Sequence, residues 1–238
     1  MPRWAKGRLS KGRFRVVSTP SVLPEEPIAF RFKPRLIRAK ATKIEKEIPN
    51  VFLLRIILSR TDQRISVAVA HLPPLLRGWF EKCFPEWSLP NRLVLKACKD
   101  GWDQVFQIEK SAYATWRSLQ GIRIPRYFGA LTYKGIKAIL LSDIGGARVG
   151  EPAGTLLDKE EFRRLMKDTL SDLARFGALP DDTRLENFHI VGDKMMAVDF
   201  ETVDEVVSAS QIEDLTDWLA ELYGNRQRDL LNSGKIEA

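Results

Sequence analysis

The segment Asp182-Thr-Arg-Leu-Glu-Asn187, followed by Val198-Asp199-Phe200, constrains the fold of this chain more than any other feature. Four residues separate the first aspartate from the asparagine, and two short apolar runs, 188–191 and 195–198, separate the asparagine from the second aspartate. Two such runs joined by a turn predict a β-hairpin. The sequence therefore predicts a loop, a hairpin and a second loop in that order, with polar side chains on both loops.

The three polar residues at this spacing are typical of phosphoryl-transfer sites. In such sites the first aspartate, here Asp182, faces the acceptor hydroxyl, while the asparagine and the second aspartate, here Asn187 and Asp199, hold the magnesium that bridges the nucleotide phosphates. The chemistry needs this set because the γ-phosphate gathers negative charge and cations must lie against it. An Asp-x4-Asn spacing alone also occurs in many solvated loops, so the rest of the chain decides its meaning.

Two further charged residues lie upstream in the order that such a site requires. Arg92-Leu-Val-Leu-Lys96-Ala predicts a buried strand that carries one lysine, and residues 102–119, which include Glu109, predict a helix because their apolar residues recur at helical spacing. A lysine on a strand and a glutamate on the next helix form the ion pair that orients the lysine toward the phosphates. The alternatives are an edge-strand lysine kept for solubility and a glutamate on a solvated helix face.

Together these features resemble the protein-kinase-like superfamily, on the branch of aminoglycoside and choline phosphotransferases. The chain is most similar to the small kinase-like proteins common in filamentous fungi. The resemblance rests on the lysine strand, on Glu109-Lys-Ser-Ala-Tyr113 and on Leu119-Gln-Gly121-Ile-Arg-Ile124-Pro125-Arg-Tyr-Phe-Gly129, and it covers about residues 50–220. A further run, Ala138-Ile-Leu-Leu-Ser-Asp143-Ile-Gly-Gly146, is similar to the strand and hinge over which adenine lies in that family.

The resemblance implies an α+β, bilobal protein-kinase-like fold with a small sheet-rich N-lobe and a reduced helical C-lobe. It implies ATP and Mg2+ as cofactors, with Asp182 as the catalytic residue and Asn187 and Asp199 as the metal ligands. The residues implied in nucleotide binding are Lys96, Glu109, Val94, Ser142 and Asp143.

The chain departs from the family pattern at two places. Pro180-Asp181 stands where the family usually has His-Gly before the catalytic aspartate. The turn Ser59-Arg-Thr-Asp-Gln-Arg64, predicted between strands 51–58 and 65–70, has no glycine, although backbone amides cradle phosphates most closely where no side chain intrudes. The sequence therefore leaves two functions open: an active enzyme and a catalytically inactive pseudokinase that acts as a binding or scaffolding module.

If the protein is an enzyme, we expect an ATP-dependent phosphotransferase that moves the γ-phosphate to a hydroxyl acceptor. Only 39 residues follow Asp199, and they contain no Ala-Pro-Glu-like anchor. Protein kinases need a long activation segment and a further helical subdomain to dock a peptide. We therefore expect the acceptor to be a small molecule.

Composition limits the cellular compartment in which the protein is expected. The chain has 238 residues, of which 44% are hydrophobic and 29% charged, and no apolar run approaches the ~20 residues of a membrane helix. Cys83 and Cys98 do not make a disulfide framework and are interpreted as reduced thiols. The sequence thus predicts an intracellular protein, cytoplasmic or nuclear, without a transmembrane segment.

The net charge of +7 is concentrated at the N-terminus. Residues 1–50 hold 13 Lys/Arg and 4 Asp/Glu, whereas the remainder holds 25 and 27. Residues 1–40 are predicted to be a flexible basic segment without the apolar region of a secretory signal. Its role stays open between a solvating tail, a targeting segment and an arm that contacts a polyanion, either nucleic acid or an anionic membrane.

The remaining chain divides into a predicted N-lobe, residues 41–145, and a predicted C-lobe, residues 146–238. The expected elements are a strand hairpin at 50–71, a Pro-bounded insert at 73–90, strand 91–98, helix 102–119, strands near 126–133 and 137–142, a helix from Asp158 to about Phe176, the 188–198 hairpin and a last helix at about 210–223. The polar residues after 223 are expected to fray. The residues expected to be buried are Leu93, Val94, Leu95, Phe106, Ile139, Leu140, Phe188, Ile190 and Val198.

Overall fold

A computed structural model describes residues 14–16, 24–44, 50–204 and 208–237. The described strands are β1 (Arg15–Val16), β2 (Glu25–Phe32), β3 (Arg35–Lys43), β4 (Val51–Ile56), β5 (Arg92–Ala97), β6 (Tyr127–Tyr133), β7 (Ile136–Ser142), β8 (Ala147–Arg148), β9 (Leu179–Pro180), β10 (Phe188–Val191), β11 (Lys194–Ala197), β12 (Val203–Asp204) and β13 (Ile236–Glu237). The helices are α1 (Arg60–Ala70), α2 (Pro74–Cys83), α3 (Asp103–Thr115), α4 (Lys159–Ala174) and α5 (Ala209–Asn232).

The chain is a mixed α+β protein, as the sequence predicts, and it forms two compact units. The sheet unit comprises residues 24–44, 50–103 and 126–143, and the helical unit comprises residues 14–16, 104–125, 144–204 and 208–237. No helix among the described residues is long and apolar enough to cross a membrane.

The sheet unit is built on six antiparallel strands in the order β2-β3-β4-β5-β7-β6. Successive side chains of a strand point to opposite sides of the sheet, and the hydrophobic core packs against one of these two sides. On β5 the residues that face the core are Leu93, Leu95 and Ala97, whereas Val94 and Lys96 lie on the opposite face. The predicted lysine strand is therefore confirmed, and it is central rather than at an edge.

Strands β2 and β3 correct the prediction that residues 1–40 form a flexible segment. Phe30, Phe32, Ile37 and Ala39 alternate along them and are at most 4% exposed. Basic residues occupy the intervening, solvent-facing positions, so the sequence looks like a charged segment while one face is apolar. Residues 1–13 and 17–23 of the predicted segment lie outside the described residues.

Helix α1 corrects the predicted strand hairpin at 50–71. Strand β4 is present, but the second strand is replaced by a helix that begins at a capping box. The Asp62 amide donates to Ser59 Oγ at 3.1 Å, and the Ser59 amide donates to Asp62 Oδ2 at 2.8 Å. The β-branched alternation of Ile65-Ser-Val-Ala-Val favoured a strand, yet the cap satisfies the first free amides of a helix and determines the local structure.

In the helical unit, α4 and α5 pack against each other, and the aromatic rings of Phe162 and Tyr223 stack at 4.0 Å between centroids. Helix α4 begins as predicted, since Asp158 accepts a hydrogen bond from the Glu161 amide at 2.7 Å. Strands β10 and β11 form the predicted hairpin, and β8 adds to its β10 side.

Helix α5 extends well beyond the predicted end at 223. The polar segment after Tyr223 does not fray, because Gln227 Nε2 donates to Thr155 O at 2.7 Å and Leu230 is only 2% exposed. Trp218 lies outside the buried face of this helix, since it is 51% exposed. The buried stripe of the helix contains Thr216, Leu219, Ala220, Tyr223 and Leu230.

The predicted lobes place α3 differently from the structure. Residues 104–125 belong to the helical unit, although the prediction assigned all of 41–145 to one lobe. The reason is packing: Trp116 is fully buried, and its Nε1 donates to Leu173 O at 3.2 Å. The predicted core is largely confirmed; Val94 and Val198 are half-buried, and the other seven residues are buried.

Candidate functional site

Two adjacent chain segments form the candidate site in the helical unit. Strand β9 pairs with β12, and just beyond β9 the Asp181 amide donates to Thr202 O at 3.2 Å. The loop that carries Asp182 therefore runs beside the segment that follows Asp199. This pairing, together with the β10–β11 hairpin, is why the two predicted motifs meet although they are distant in sequence.

Asn187 joins the two motifs directly. Its Nδ2 donates to the backbone oxygen of Asp182 at 2.9 Å, and its own backbone oxygen accepts from the Val198 amide at 2.8 Å. The residue is only 8% exposed. Because Nδ2 is engaged by the Asp182 carbonyl, Oδ1 is the atom of this side chain that can act as a ligand to a cation. The structure thus brings Asp182, Asn187 and the neighbour of Asp199 together.

Asp199 has a left-handed backbone, with φ of 67°. Such a conformation is uncommon for residues other than glycine, although aspartate tolerates it better than most. The next residue, Phe200, is fully buried, and its ring centroid lies 5.4 Å from that of Tyr113 and 4.9 Å from that of Trp116. Phe200 therefore anchors the chain on α3, and this anchoring fixes the backbone that presents the Asp199 carboxylate.

Arg184 is a site residue that the sequence interpretation missed. Its Nε donates to Asp182 Oδ1 at 2.8 Å, and its Nη2 donates to Asp182 Oδ2, which makes a bidentate ion pair. Hydrogen bonding and charge from Asp182, with smaller contributions from Asp199 and Glu186, raise the pKa of the Arg184 guanidinium. The only sequence signal was a cation two residues after the aspartate, and charged loop residues are too common for that signal to be specific.

Glu109 and Tyr113 lie one helical turn apart on α3 and are 3% and 1% exposed. Burial raises the pKa of the Tyr113 hydroxyl well above its usual range, and the negative charges of Glu109 and Asp199 raise it further. The alternative of a solvated helix face for Glu109 is wrong.

Lys96 lies on β5, opposite Val51 of β4 and Ile139 of β7. Because β5 is flanked by strands on both sides, the edge-strand alternative for this lysine is also wrong. Val94 shares its face and is paired with Leu141, so the surface around the lysine is apolar. Lys96 belongs to the sheet unit and Glu109 to the helical unit, and their pairing stays a prediction.

Ser142 and Asp143, predicted to contact the nucleotide, make local contacts in the sheet unit. Ser142 is paired with the core-facing residue Leu93, and its Oγ accepts from the Arg126 amide at 2.8 Å. The Asp143 carboxylate accepts from Arg92 Nε at 2.6 Å. In the β5–β7 ladder Ser142 therefore points to the opposite side from Val94 and Lys96.

The predicted phosphate-binding turn is misplaced. Residues 59–64 begin α1 and do not connect two strands, so the absence of glycine there says nothing about phosphate binding. The chain that connects β3 to β4 is 44–50, and residues 45–49 lie outside the described residues. That segment, Ile44-Glu-Lys-Glu-Ile-Pro-Asn50, also contains no glycine.

The donor set in the helical unit fits magnesium. A carboxylate from Asp199 and an amide oxygen from Asn187 are hard oxygen ligands, and Mg²⁺ commonly takes one or two carboxylates and completes its shell with water and substrate phosphates. Among the described residues no three His, Cys, Asp or Glu side chains form a site that would hold an ion alone.

The sequence was compared with protein-family models and with curated proteins. No family model matches it, and no match was found among the curated proteins.

Proposed function

We propose that the protein is an ATP-dependent phosphotransferase that moves the γ-phosphate of ATP to a hydroxyl acceptor. The observation that carries this proposal is the position of Asn187. Its side chain bonds to the backbone of Asp182, and its backbone bonds to the residue before Asp199. Phosphoryl transfer requires a hydroxyl-facing carboxylate close to two metal ligands, and these contacts bring the corresponding loops together.

In this proposal Asp182 accepts the hydrogen bond of the acceptor hydroxyl and takes its proton as the oxygen attacks the γ-phosphorus. Asn187 Oδ1 and the Asp199 carboxylate would hold magnesium, which would supply positive charge to the nucleotide phosphates while the bond from the γ-phosphorus to the departing ADP breaks. The buried Phe200 keeps Asp199 in place, because its ring is packed against Tyr113 and Trp116.

Arg184 adds a mobile cation to this set. Its side chain is 68% exposed while it pairs with Asp182, so it is free to rotate toward an incoming anion. Charge spreads over the equatorial oxygens of the transferred group in the transition state, and a guanidinium stabilises such charge. We propose that Arg184 leaves Asp182 for the phosphoryl group when the nucleotide binds, which also releases Asp182 for the acceptor.

In the sheet unit, the proposal assigns the α- and β-phosphates to Lys96 and an adenine contact to Val94. The support is that both residues lie on the same face of a central strand. Ile139 and Leu141 beside them on the neighbouring strand are apolar and buried, whereas Val94 and Lys96 are half-buried. The acceptor is proposed to be a small molecule.

A catalytically inactive pseudokinase, which acts as a binding or scaffolding module, is the second candidate. The observation in its favour is the bidentate ion pair of Asp182 with Arg184, which occupies both carboxylate oxygens of the proposed base. The replacement of His-Gly by Pro180-Asp181 points the same way.

The two candidates are separated by measuring binding and turnover on the same preparation. The full chain is incubated with ATP and magnesium, with and without a panel of small hydroxyl compounds, and ADP release is followed beside nucleotide affinity. The enzyme predicts ADP release that at least one hydroxyl compound accelerates. Binding without any ADP release, or neither binding nor ADP release, would exclude the enzyme and leave the pseudokinase.

A further inference from the structure

The insert between β4 and β5 exposes an unusual amount of apolar surface. Six of the fourteen large apolar residues that are exposed in the described part of the chain lie between residues 57 and 84. The most exposed are Leu75 at 89%, Trp79 at 59% and Val67 at 58%. Single exposed apolar residues are ordinary, but a cluster of this kind marks an interaction surface.

This surface is held by a buried anchor. Arg35 of β3 is 8% exposed, its Nη2 lies 2.9 Å from Asp62 Oδ1 of α1, and its guanidinium lies 4.8 Å from the ring centroid of Trp87. The two contacts fix the insert before and after α2. The exposed residues are therefore presented by fixed helices and are not side chains of a loose loop.

The exposed side of α1 is opposite its anchored side. Asp62, Ile65 and Val69 are half-buried and recur at helical spacing, so they form the inner face. Arg60, Arg64 and Val67 are exposed and lie on the other side of the helix. On α2, Leu75 and Trp79 are four residues apart and share the solvent side.

The charge on this surface is positive. Arg60, Arg64 and Arg77 are exposed, and no carboxylate among the described residues pairs with them. The segment 57–84 contains two acids, of which Asp62 is turned inward to Arg35, which leaves Glu81. On α2 the exposed Arg77 lies across the helix from Leu75 and Trp79. A basic polar face opposite protruding leucine and tryptophan is the pattern of interfacial membrane-binding helices.

We propose that α1 and α2 dock on the surface of an anionic membrane. The arginines face the headgroups, and Leu75 and Trp79 enter the boundary between headgroups and acyl chains, where tryptophan is favoured. A lipid surface fits better than a protein partner because the side chains protrude; at 89% exposure Leu75 has almost no neighbours that would shape a groove. This inference is independent of the proposed phosphotransferase activity.

The test is co-sedimentation of the full chain with phosphatidylcholine vesicles, with and without phosphatidylserine. We expect binding to the anionic vesicles. The double variant Leu75→Glu/Trp79→Glu should weaken this binding about tenfold or more, since two apolar side chains that enter the membrane are lost.

Ile136→Glu and Trp218→Glu are the matched controls, because Ile136 and Trp218 are 49% and 51% exposed and lie outside the insert. Both control variants should bind the vesicles as the wild type does. Arg60→Glu/Arg64→Glu should weaken binding to anionic vesicles and reduce its salt dependence.

Three outcomes would overturn the proposal. Vesicle binding that ignores the Leu75→Glu/Trp79→Glu change but is lost on deletion of residues 1–23 would assign it to the basic segment. An absence of vesicle binding would exclude the membrane. Self-association that is abolished by Trp79→Glu, again without vesicle binding, would make the surface a protein interface. Circular dichroism and thermal melting check that the variants are folded, which is expected because the changed side chains are exposed.

Discussion

At the scale of single residues, Asp182 and Asp181 differ in what they touch, although they are adjacent in sequence. The Asp182 backbone is bound by Asn187, and its carboxylate by Arg184, whereas the Asp181 backbone pairs with Thr202 and its side chain is exposed. Replacing Asp182 with alanine should lower turnover by roughly 10²–10⁴, the usual effect of losing a positioned general base, and leave ATP affinity nearly unchanged. Steady-state ADP release and equilibrium nucleotide binding measure the two effects separately.

Asp181→Ala is the matched control for this change. It removes a neighbouring carboxylate of the same charge, and turnover should stay within a factor of about two of the wild type. If Asp181→Ala abolishes turnover while Asp182→Ala is silent, the assigned register of the loop is wrong.

Asp62 gives a second prediction at this scale, concerning stability. Burial opposes ionisation of its carboxylate, but hydrogen bonds from Ser59 and the charge of Arg35 outweigh burial and lower the pKa of Asp62. Because this pKa is lower in the folded state, the ionised Asp62 carboxylate stabilises the fold fully at pH values above about 3.9, the ordinary pKa of aspartate. The stabilisation is lost as the pH falls through the lower pKa of the folded state. The Asp62→Asn variant should therefore be less stable near neutral pH, and its deficit should shrink in acid. Urea unfolding across this pH range measures the difference, and a deficit that is constant with pH would contradict the account.

At the scale of elements, the sequence predicted those whose signals are local. The cap at Asp158, the helical spacing around Glu109 and the apolar run of β5 were all read correctly, because cap, periodicity and strand composition act within a few residues. The failures have two causes. At α1 the β-branched run favours a strand, but the local capping box of Ser59 and Asp62 starts a helix. At the polar end of α5 tertiary contacts decide, since Gln227 and Leu230 are fixed by distant residues.

In the candidate site, too, local signals were visible in the sequence and tertiary contacts were not. Spacing predicts Asp182, Asn187 and Asp199 as site residues, and this stays a prediction, whereas the hairpin between Asn187 and Asp199 is confirmed. Arg184 was missed because its role depends on the folded position of a neighbouring carboxylate. The separation of α3 from the sheet unit was also invisible in the sequence, since it results from the burial of Trp116 and Phe200.

The packing of Phe200 on α3 gives a prediction about this element. Phe200→Ala should lower the free energy of unfolding by about 3–5 kcal/mol, because a fully buried aromatic ring is removed from between two others. It should also weaken magnesium-dependent nucleotide binding, since Asp199 loses its anchor. Phe176→Ala is the control, because Phe176 is 43% exposed and its loss should cost little. Denaturant unfolding measures stability, and equal losses for the two variants would contradict the anchoring role.

At the scale of the whole molecule, the excess positive charge lies in the sequence before the first strand of the sheet unit. Residues 1–23 contain six Lys/Arg and no acid, and the core residues of β2 begin only after them. Deleting residues 1–23 should leave the cooperative melting transition in place, although the short β1–β13 pairing is lost, and it should reduce retention on heparin. Deleting residues 1–32 is the comparison, because it also removes the buried Phe30 and Phe32 and should unfold the sheet unit. A loss of folding with the shorter deletion would show that the segment is structural.

The central claim is that the two loops joined by Asn187 bind magnesium and ATP. The most direct measurement is a thermal-shift titration with ATP, with and without magnesium, of the wild type, Asp199→Ala and Asp181→Ala, because a ligand that binds the native state raises its melting temperature. The account predicts a magnesium-dependent rise for the wild type and Asp181→Ala, and a much smaller one for Asp199→Ala, which lacks a charged metal ligand. The absence of any shift for the wild type, or a full shift for Asp199→Ala, would contradict it.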